Sequence, residues 1–89
     1  MAWSIELGPR AQRQLKQLDQ QIARRLSRFL FERIAPLDDP RSLGQALKGT
    51  EFGELWKYRV GDYRIIVSIE DKRVRILVVR IGNRREVYR

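Results

Sequence analysis

The stretch Leu55-Trp56-Lys57-Tyr58-Arg59-Val60-Gly61-Asp62-Tyr63-Arg64-Ile65-Ile66-Val67-Ser68-Ile69-Glu70 decides the fold. On both sides of Gly61-Asp62, an apolar or aromatic side chain returns at every second position, the period of a strand with one covered face. Gly61-Asp62 has the form of a two-residue hairpin turn, with glycine first as a type II′ turn prefers. The spacing predicts antiparallel strands over Leu55–Val60 and Tyr63–Glu70. A second turn at Asp71-Lys72, flanked by the opposite charges of Glu70 and Arg73, leads into a third strand over residues 73–81. In that register one face receives Trp56, Tyr58, Val60, Tyr63, Ile65, Val67, Ile69, Val74, Ile76 and Val78. The other receives Leu55, Lys57, Arg59, Arg64, Ile66, Ser68, Glu70, Arg73, Arg75, Leu77 and Val79. A slip of one residue scrambles both sets, so the purity of the first supports the register.

An apolar face of that size requires a cover, and the chain before Leu55 supplies it. Residues 3–7 alternate as a short strand, which Gly8-Pro9 ends. Proline is tolerated at the first helical position, so a helix starts at Pro9. Ala11, Leu15 and Leu18 make its one-sided apolar stripe. Asp19 is a good N-cap for a second helix, in which Ile22, Leu26, Phe29, Leu30 and Ile34 repeat the stripe until Pro36. The two helices meet almost without a loop, which implies an antiparallel hairpin. Residues 36–53 collect Pro36, Asp38, Asp39, Pro40, Gly44, Gly49 and Gly53, and read as a connecting segment with one short turn at residues 43–47. The expected fold is α+β. An N-terminal strand and an antiparallel helical hairpin pack on one face of a C-terminal antiparallel β-meander, in a single domain over residues 1–89.

Composition narrows the chemistry. The chain has 89 residues and a net charge of +8, with 19 Lys+Arg against 11 Asp+Glu. The absence of Cys and His excludes thiolate zinc sites, disulfides and hydrolases that use a histidine base. No metal and no small-molecule cofactor is expected. Of the basic residues 15 are Arg, a bias that a GC-rich genome or a planar fork suited to phosphate explains equally well, while the excess positive charge itself favours a polyanionic partner, nucleic acid or an acidic protein. No apolar run approaches the ~18 residues of a membrane span, and Met1-Ala2-Trp3-Ser4 does not begin a signal peptide. A cytoplasmic protein with no membrane partner is expected.

The polar face of the meander carries an anomaly. The turn at Gly61-Asp62 sets Arg59 directly opposite Arg64, with Lys57 one step along, and like charges in cross-strand opposition are destabilising. A solvated outer face on which the cations splay apart is one account. A negative partner seated there is the other. Arg24, Arg25, Arg28 and Arg33 line the outer side of the second helix as a general polyanion-binding surface. At the end of the chain, Gly82-Asn83 reads as a turn returning Arg84, Arg85 and Tyr88 to the sheet, where an aromatic ring among arginines can stack a nucleobase.

Leu47-Lys48-Gly49, the run from Trp56 through Ile66, and Ile81-Gly82-Asn83-Arg84-Arg85-Glu86-Val87-Tyr88 together resemble the RelE/ParE toxin superfamily, with a RelE-like ending. The resemblance implies a toxin of a type II toxin–antitoxin system, a ribosome-dependent endoribonuclease that cuts messenger RNA without metal and is restrained by a cognate antitoxin. It implies that Lys57 helps activate the ribose 2′-hydroxyl and that Arg64 stabilises the scissile phosphate. Arg84 matches the arginine that protonates the leaving 5′-oxygen, and Tyr88 the tyrosine that orients the nucleotide. Arg59, Arg85 and Arg89, with Arg24, Arg25 and Arg28, fall to messenger and ribosomal RNA binding. A lysine serves as a base only when neutral. A guanidinium is a poor acid in bulk water. Two positions depart from the pattern: Leu55 stands where some relatives have a second lysine, and Asn83 where many have histidine. The same fold also serves ParE-like toxins, which inhibit DNA gyrase without catalysis, and the departures admit an inactive basic nucleic-acid-binding module.

Overall fold

The hairpin forms in the expected register, with Val60 opposite Tyr63, Arg59 opposite Arg64 and Tyr58 opposite Ile65. Gly61 has φ +60°, and Asp62 lies outside the left-handed region, as a type II′ turn requires. This computed structural model describes residues 2–47 and 55–85. Its strands are β1 (Ser4–Leu7), β2 (Gln45–Leu47), β3 (Leu55–Val60), β4 (Tyr63–Glu70) and β5 (Arg75–Asn83). They form one sheet in the order β1-β5-β4-β3-β2. Every neighbouring pair is antiparallel except β1 and β5, which run parallel.

Both helices lie on one face. α1 (Pro9–Gln17) starts with proline at its first turn, and α2 (Gln20–Arg28) is capped by Asp19, whose carboxylate accepts from Gln21 N–H at 3.0 Å. α2 runs on as a π-helical segment, Phe29–Ile34, before Pro36. Leu26, Leu30 and Ile34 from this helix, with Ala11 from α1, pack on Tyr58, Val60, Ile65, Val67, Ile76, Val78 and Ile81. Phe29 meets the Tyr58 ring edge-on at 5.8 Å between centroids. The buried Tyr58 hydroxyl donates to the Pro40 carbonyl at 2.6 Å, so its polar end is satisfied. Gly8 lets the start of α1 lie against β5. Its N–H donates to Val78 O at 2.8 Å, and a Cβ there would stand 3.2 Å from the same oxygen.

Four local features differ from the expectation. The connecting segment contains a 3₁₀ turn, Pro40–Leu43, and then β2, so four strands form the meander instead of three. A three-residue strand offers too few positions for a period of two to show. The turn after β4 is a 3₁₀ turn, Asp71–Arg73, so Arg73 is not in a strand. Val74, expected on the covered face, closes that turn at φ 48°, an uncommon backbone for a β-branched residue. Glu70 consequently faces Arg75 and not Arg73.

The fourth difference lies in β5. Ile66 pairs with Arg80 while Val67 pairs with Val78, which leaves Val79 as the extra residue of a β-bulge. The bulge resets the alternation, so Ile81 enters the core at 1% exposure and Arg80 comes to the opposite face. β5 then continues through Gly82 and Asn83, and the expected turn falls at Arg84-Arg85. Beyond the end of β1, the Ile81 N–H donates to Gln14 Oε1 of α1 at 2.7 Å.

Candidate nucleic-acid interface and active site

The face of the sheet away from the helices is polar, and its two ends differ. At the hairpin end, Arg59 and Arg64 stand in direct cross-strand opposition. The next row along the strands places Ile66 between Lys57 on β3 and Arg80 on β5. Ile66 is only 4% exposed, an apolar floor flanked by two cationic side chains. Arg64 Nη1 donates to the Gly61 carbonyl at 3.0 Å and to the Tyr63 carbonyl at 2.9 Å. These neutral acceptors fix the guanidinium beside the turn without cancelling its charge. Arg84 arrives at the same end, because its N–H donates to the Asp62 carbonyl at 2.9 Å. Arg85 follows in the exposed turn, its N–H donating to Asn83 Oδ1 at 3.2 Å.

The far end is charge-balanced. Arg75 donates to Glu70 through Nε and Nη2, the latter at 2.9 Å, and to Glu6 through Nη1. The hydrogen bond from Arg75 holds the Glu70 carboxyl below its ordinary value, and the reciprocal bond raises Arg75. At the same end, beside the Trp56 ring of the covered face, whose centroid is 5.8 Å away, Arg41 makes a two-pronged pair with Asp71 at 3.1 and 2.6 Å. Asp71 is lowered by that hydrogen bond.

A second basic surface borders the first. α2 and the β3–β4 hairpin enclose an open groove of ≈ 620 Å³ lined by Arg24, Arg25, Arg28, Arg33 and Arg59, with Phe29 and Val60 at its base. The Arg25 guanidinium lies over the hairpin tip, where a Cβ on Gly61 would come within 3.1 Å of it. Arg59 belongs to both surfaces, so the cations run continuously around the hairpin.

Of the residues singled out from the sequence, Lys57, Arg59 and Arg64 thus share one end of the open face, and the Arg84 backbone reaches the turn at that end. Arg24, Arg25 and Arg28 gather in the adjoining groove. Tyr88 and Arg89, with Lys48 and Gly49 of the first motif, lie outside the described residues. Arg80 was missed. Its signal is a break in alternation, Val78-Val79-Arg80-Ile81, in which the apolar positions slip by one.

A basic helix-on-meander fold with this cluster is that of a small polyanion-facing α+β protein. Residues 5–88 match the family described as the ParE toxin of type II toxin–antitoxin systems, and the chain belongs to that family. It is 31% identical over 87 residues to Toxin RelE of Mycobacterium tuberculosis, an alignment that covers 98% of this chain and 87% of the relative. A chain of the M. tuberculosis RelBE2 toxin–antitoxin complex shares the fold at a TM-score of 0.84 and 23% identity, over 94% of this chain and 93% of that one. The RelE–RelB complex of Pyrococcus horikoshii contains a similar chain, with TM-score 0.69 and 25% identity over 98% and 100%.

Proposed function

We propose that this toxin is a ribosome-dependent endoribonuclease that arrests translation by cutting messenger RNA. The observation that carries the reading is the placement of Lys57, Arg59 and Arg64 on one face at the hairpin end of the sheet, where Arg59 faces Arg64 across adjacent strands and the Arg84 backbone is tied to the same turn. A phosphate diester is the ligand that this arrangement complements.

In the proposed reaction the ribose 2′-oxygen attacks the adjacent phosphorus, and the P–O5′ bond breaks. The products are a 2′,3′-cyclic phosphate and a 5′-hydroxyl. Lys57 takes the 2′-hydroxyl proton, directly or through water, and Arg84 supplies the proton that the departing 5′-oxygen needs. Arg64, held by the Gly61 and Tyr63 carbonyls, stabilises the extra charge on the phosphorane. One preorganised donor of this kind contributes about 2.7–4 kcal/mol to a transition state. Tyr88 orients the nucleotide. Arg59, Arg85 and Arg89 hold flanking phosphates, and the α2 groove with Arg24, Arg25 and Arg28 takes ribosomal RNA backbone. The ribosome supplies the in-line alignment that so small a site leaves to its partner.

A cognate antitoxin, whose relatives form complexes with the similar toxins above, restrains the protein in the cytoplasm. Its acidic or amphipathic segment would meet the basic surfaces by charge complementarity.

The test is translation in a cell-free extract. Wild type should stop synthesis and leave cleaved message, and Arg64→Ala combined with Arg84→Ala should do neither. Arrest without cleaved message overturns the enzymatic reading. The family's ParE description favours a second reading, inhibition of DNA gyrase by protein contact. Blocked supercoiling with translation intact would establish that instead.

A further inference from the structure

The β5 bulge has a chemical result as well as a structural one. In an unbroken strand Arg80 would share the face of Val78 and thrust a guanidinium toward the helices, where burying an unpaired charge is costly. With Val79 as the extra residue, Arg80 comes instead to the open face, half-buried, directly across from Ile66. Lys57 occupies the other side of the same row. Neighbouring strands are about 4.8 Å apart, so the Lys57 and Arg80 backbones stand about 10 Å apart with an apolar residue between them. Both side chains are long enough to converge above that floor. Arg64 lies two positions from Ile66 along β4, on the same face. Bulges commonly re-aim a side chain beside an active site. Here the re-aimed group is an arginine, and it completes a three-sided frame of cations.

We propose that Arg80 is a further phosphate contact of this site, gripping the RNA backbone from the β5 side of Ile66 while Lys57 and Arg64 engage the scissile phosphate. The proposal rests on the nuclease reading for its substrate and on the β5 register for its geometry. Arg80 sits on the middle of a sheet and not on a turn, so it orients the strand of RNA as well as attracting it.

The experiment pairs Arg80→Gln with Arg80→Met, which keeps the apolar stem, and with Arg80→Lys, which keeps the charge. Arg73→Gln removes the same charge at the other end of the sheet, where Arg73 is exposed in the 3₁₀ turn. Message cleavage in a translating extract is measured for each, with thermal melts to establish folding. Binding of a short single-stranded RNA, 2′-O-methylated to prevent cleavage, is measured against salt concentration. Both neutral variants should cut about 10²-fold more slowly, the loss expected for one preorganised donor. Their salt dependence should flatten by about 0.7 in slope, the signature of one lost single-strand phosphate contact. Arg80→Lys should keep the slope and part of the rate, and Arg73→Gln should change neither. Wild-type cleavage and slope in the folded Arg80 variants would overturn the proposal, as would equal losses in Arg73→Gln. If wild type cuts no message but the slope still falls at Arg80, the nuclease reading fails and the phosphate contact stands.

Discussion

Arg75 and Arg64 stand on the same face of one sheet, and their surroundings are opposite in kind. Arg75 is enclosed by two carboxylates, Glu6 and Glu70, while Arg64 faces Arg59 across the strands and donates to the backbone carbonyls of Gly61 and Tyr63. A carboxylate partner positions a guanidinium and neutralises it. A carbonyl partner positions it and leaves its charge available. The sheet therefore holds two positioned arginines and neutralises only one of them with carboxylates.

The most severe way to break this contrast is Arg64→Ala. Message cleavage should fall about 10²–10³-fold, as for removal of one preorganised donor. The melting temperature should not fall, because a like-charge pair is relieved; a matching loss of stability would make Arg64 a structural residue.

Tyr58→Phe probes the layer beneath both ends. It leaves the Pro40 carbonyl without the 2.6 Å hydrogen bond and should cost about 1–3 kcal/mol in denaturant unfolding, with cleavage per folded molecule unchanged. Burial pushes the Tyr58 hydroxyl up to about 12, so it keeps its proton in the folded state after unfolded chains begin to lose theirs. Its stabilising effect is complete below about pH 10 and is lost as pH rises toward 12. Unfolding curves of wild type and Tyr58→Phe should converge over that range.

Acid should act on the balanced end. Glu70 and Asp71 are held low mainly by hydrogen bonds from Arg75 and Arg41, so they bind protons less readily folded than unfolded. Their contribution is present above the ordinary carboxylate range and drains away as pH falls through the depressed values. Arg75→Met should lower the melting temperature at neutral pH, flatten the acid limb and leave cleavage intact. An unchanged acid limb would show that the two ends are not balanced differently.

The smallest effect should come from Arg59→Glu, which turns a like pair into an opposite pair. A stability gain of about 0.2–1 kcal/mol is expected together with slower cleavage, a direct exchange of function for stability.

The hairpin, its register and the helical cover were legible in the sequence because long periodic segments carry them. Arg59 opposite Arg64 followed from the turn length, and Lys57, Arg64 and Arg84 came with the motifs. β2 was hidden because Gln45–Leu47 is too short for alternation to register. Arg80 was hidden because one inserted residue, Val79, reverses the face of everything after it. The left-handed Val74 has no local sequence mark, since the turn is closed by contacts such as Ser4 N–H to Val74 O at 3.0 Å. The α2 groove joins residues far apart in the chain, and only the docking of the helix on the sheet creates it.

The parallel pairing of β1 with β5 sets when the sheet can be completed. Ser4 lies beside Arg75, and β5, although last of the five strands to be made, sits between β1 and β4. The sheet has no complete interior until that strand arrives, and Arg80 and Arg84 are carried on it or just beyond it. Contacts so distant along the chain form late. Until that strand is in place the basic face is incomplete, and the interval before the sheet closes is the time in which a partner can capture the chain first.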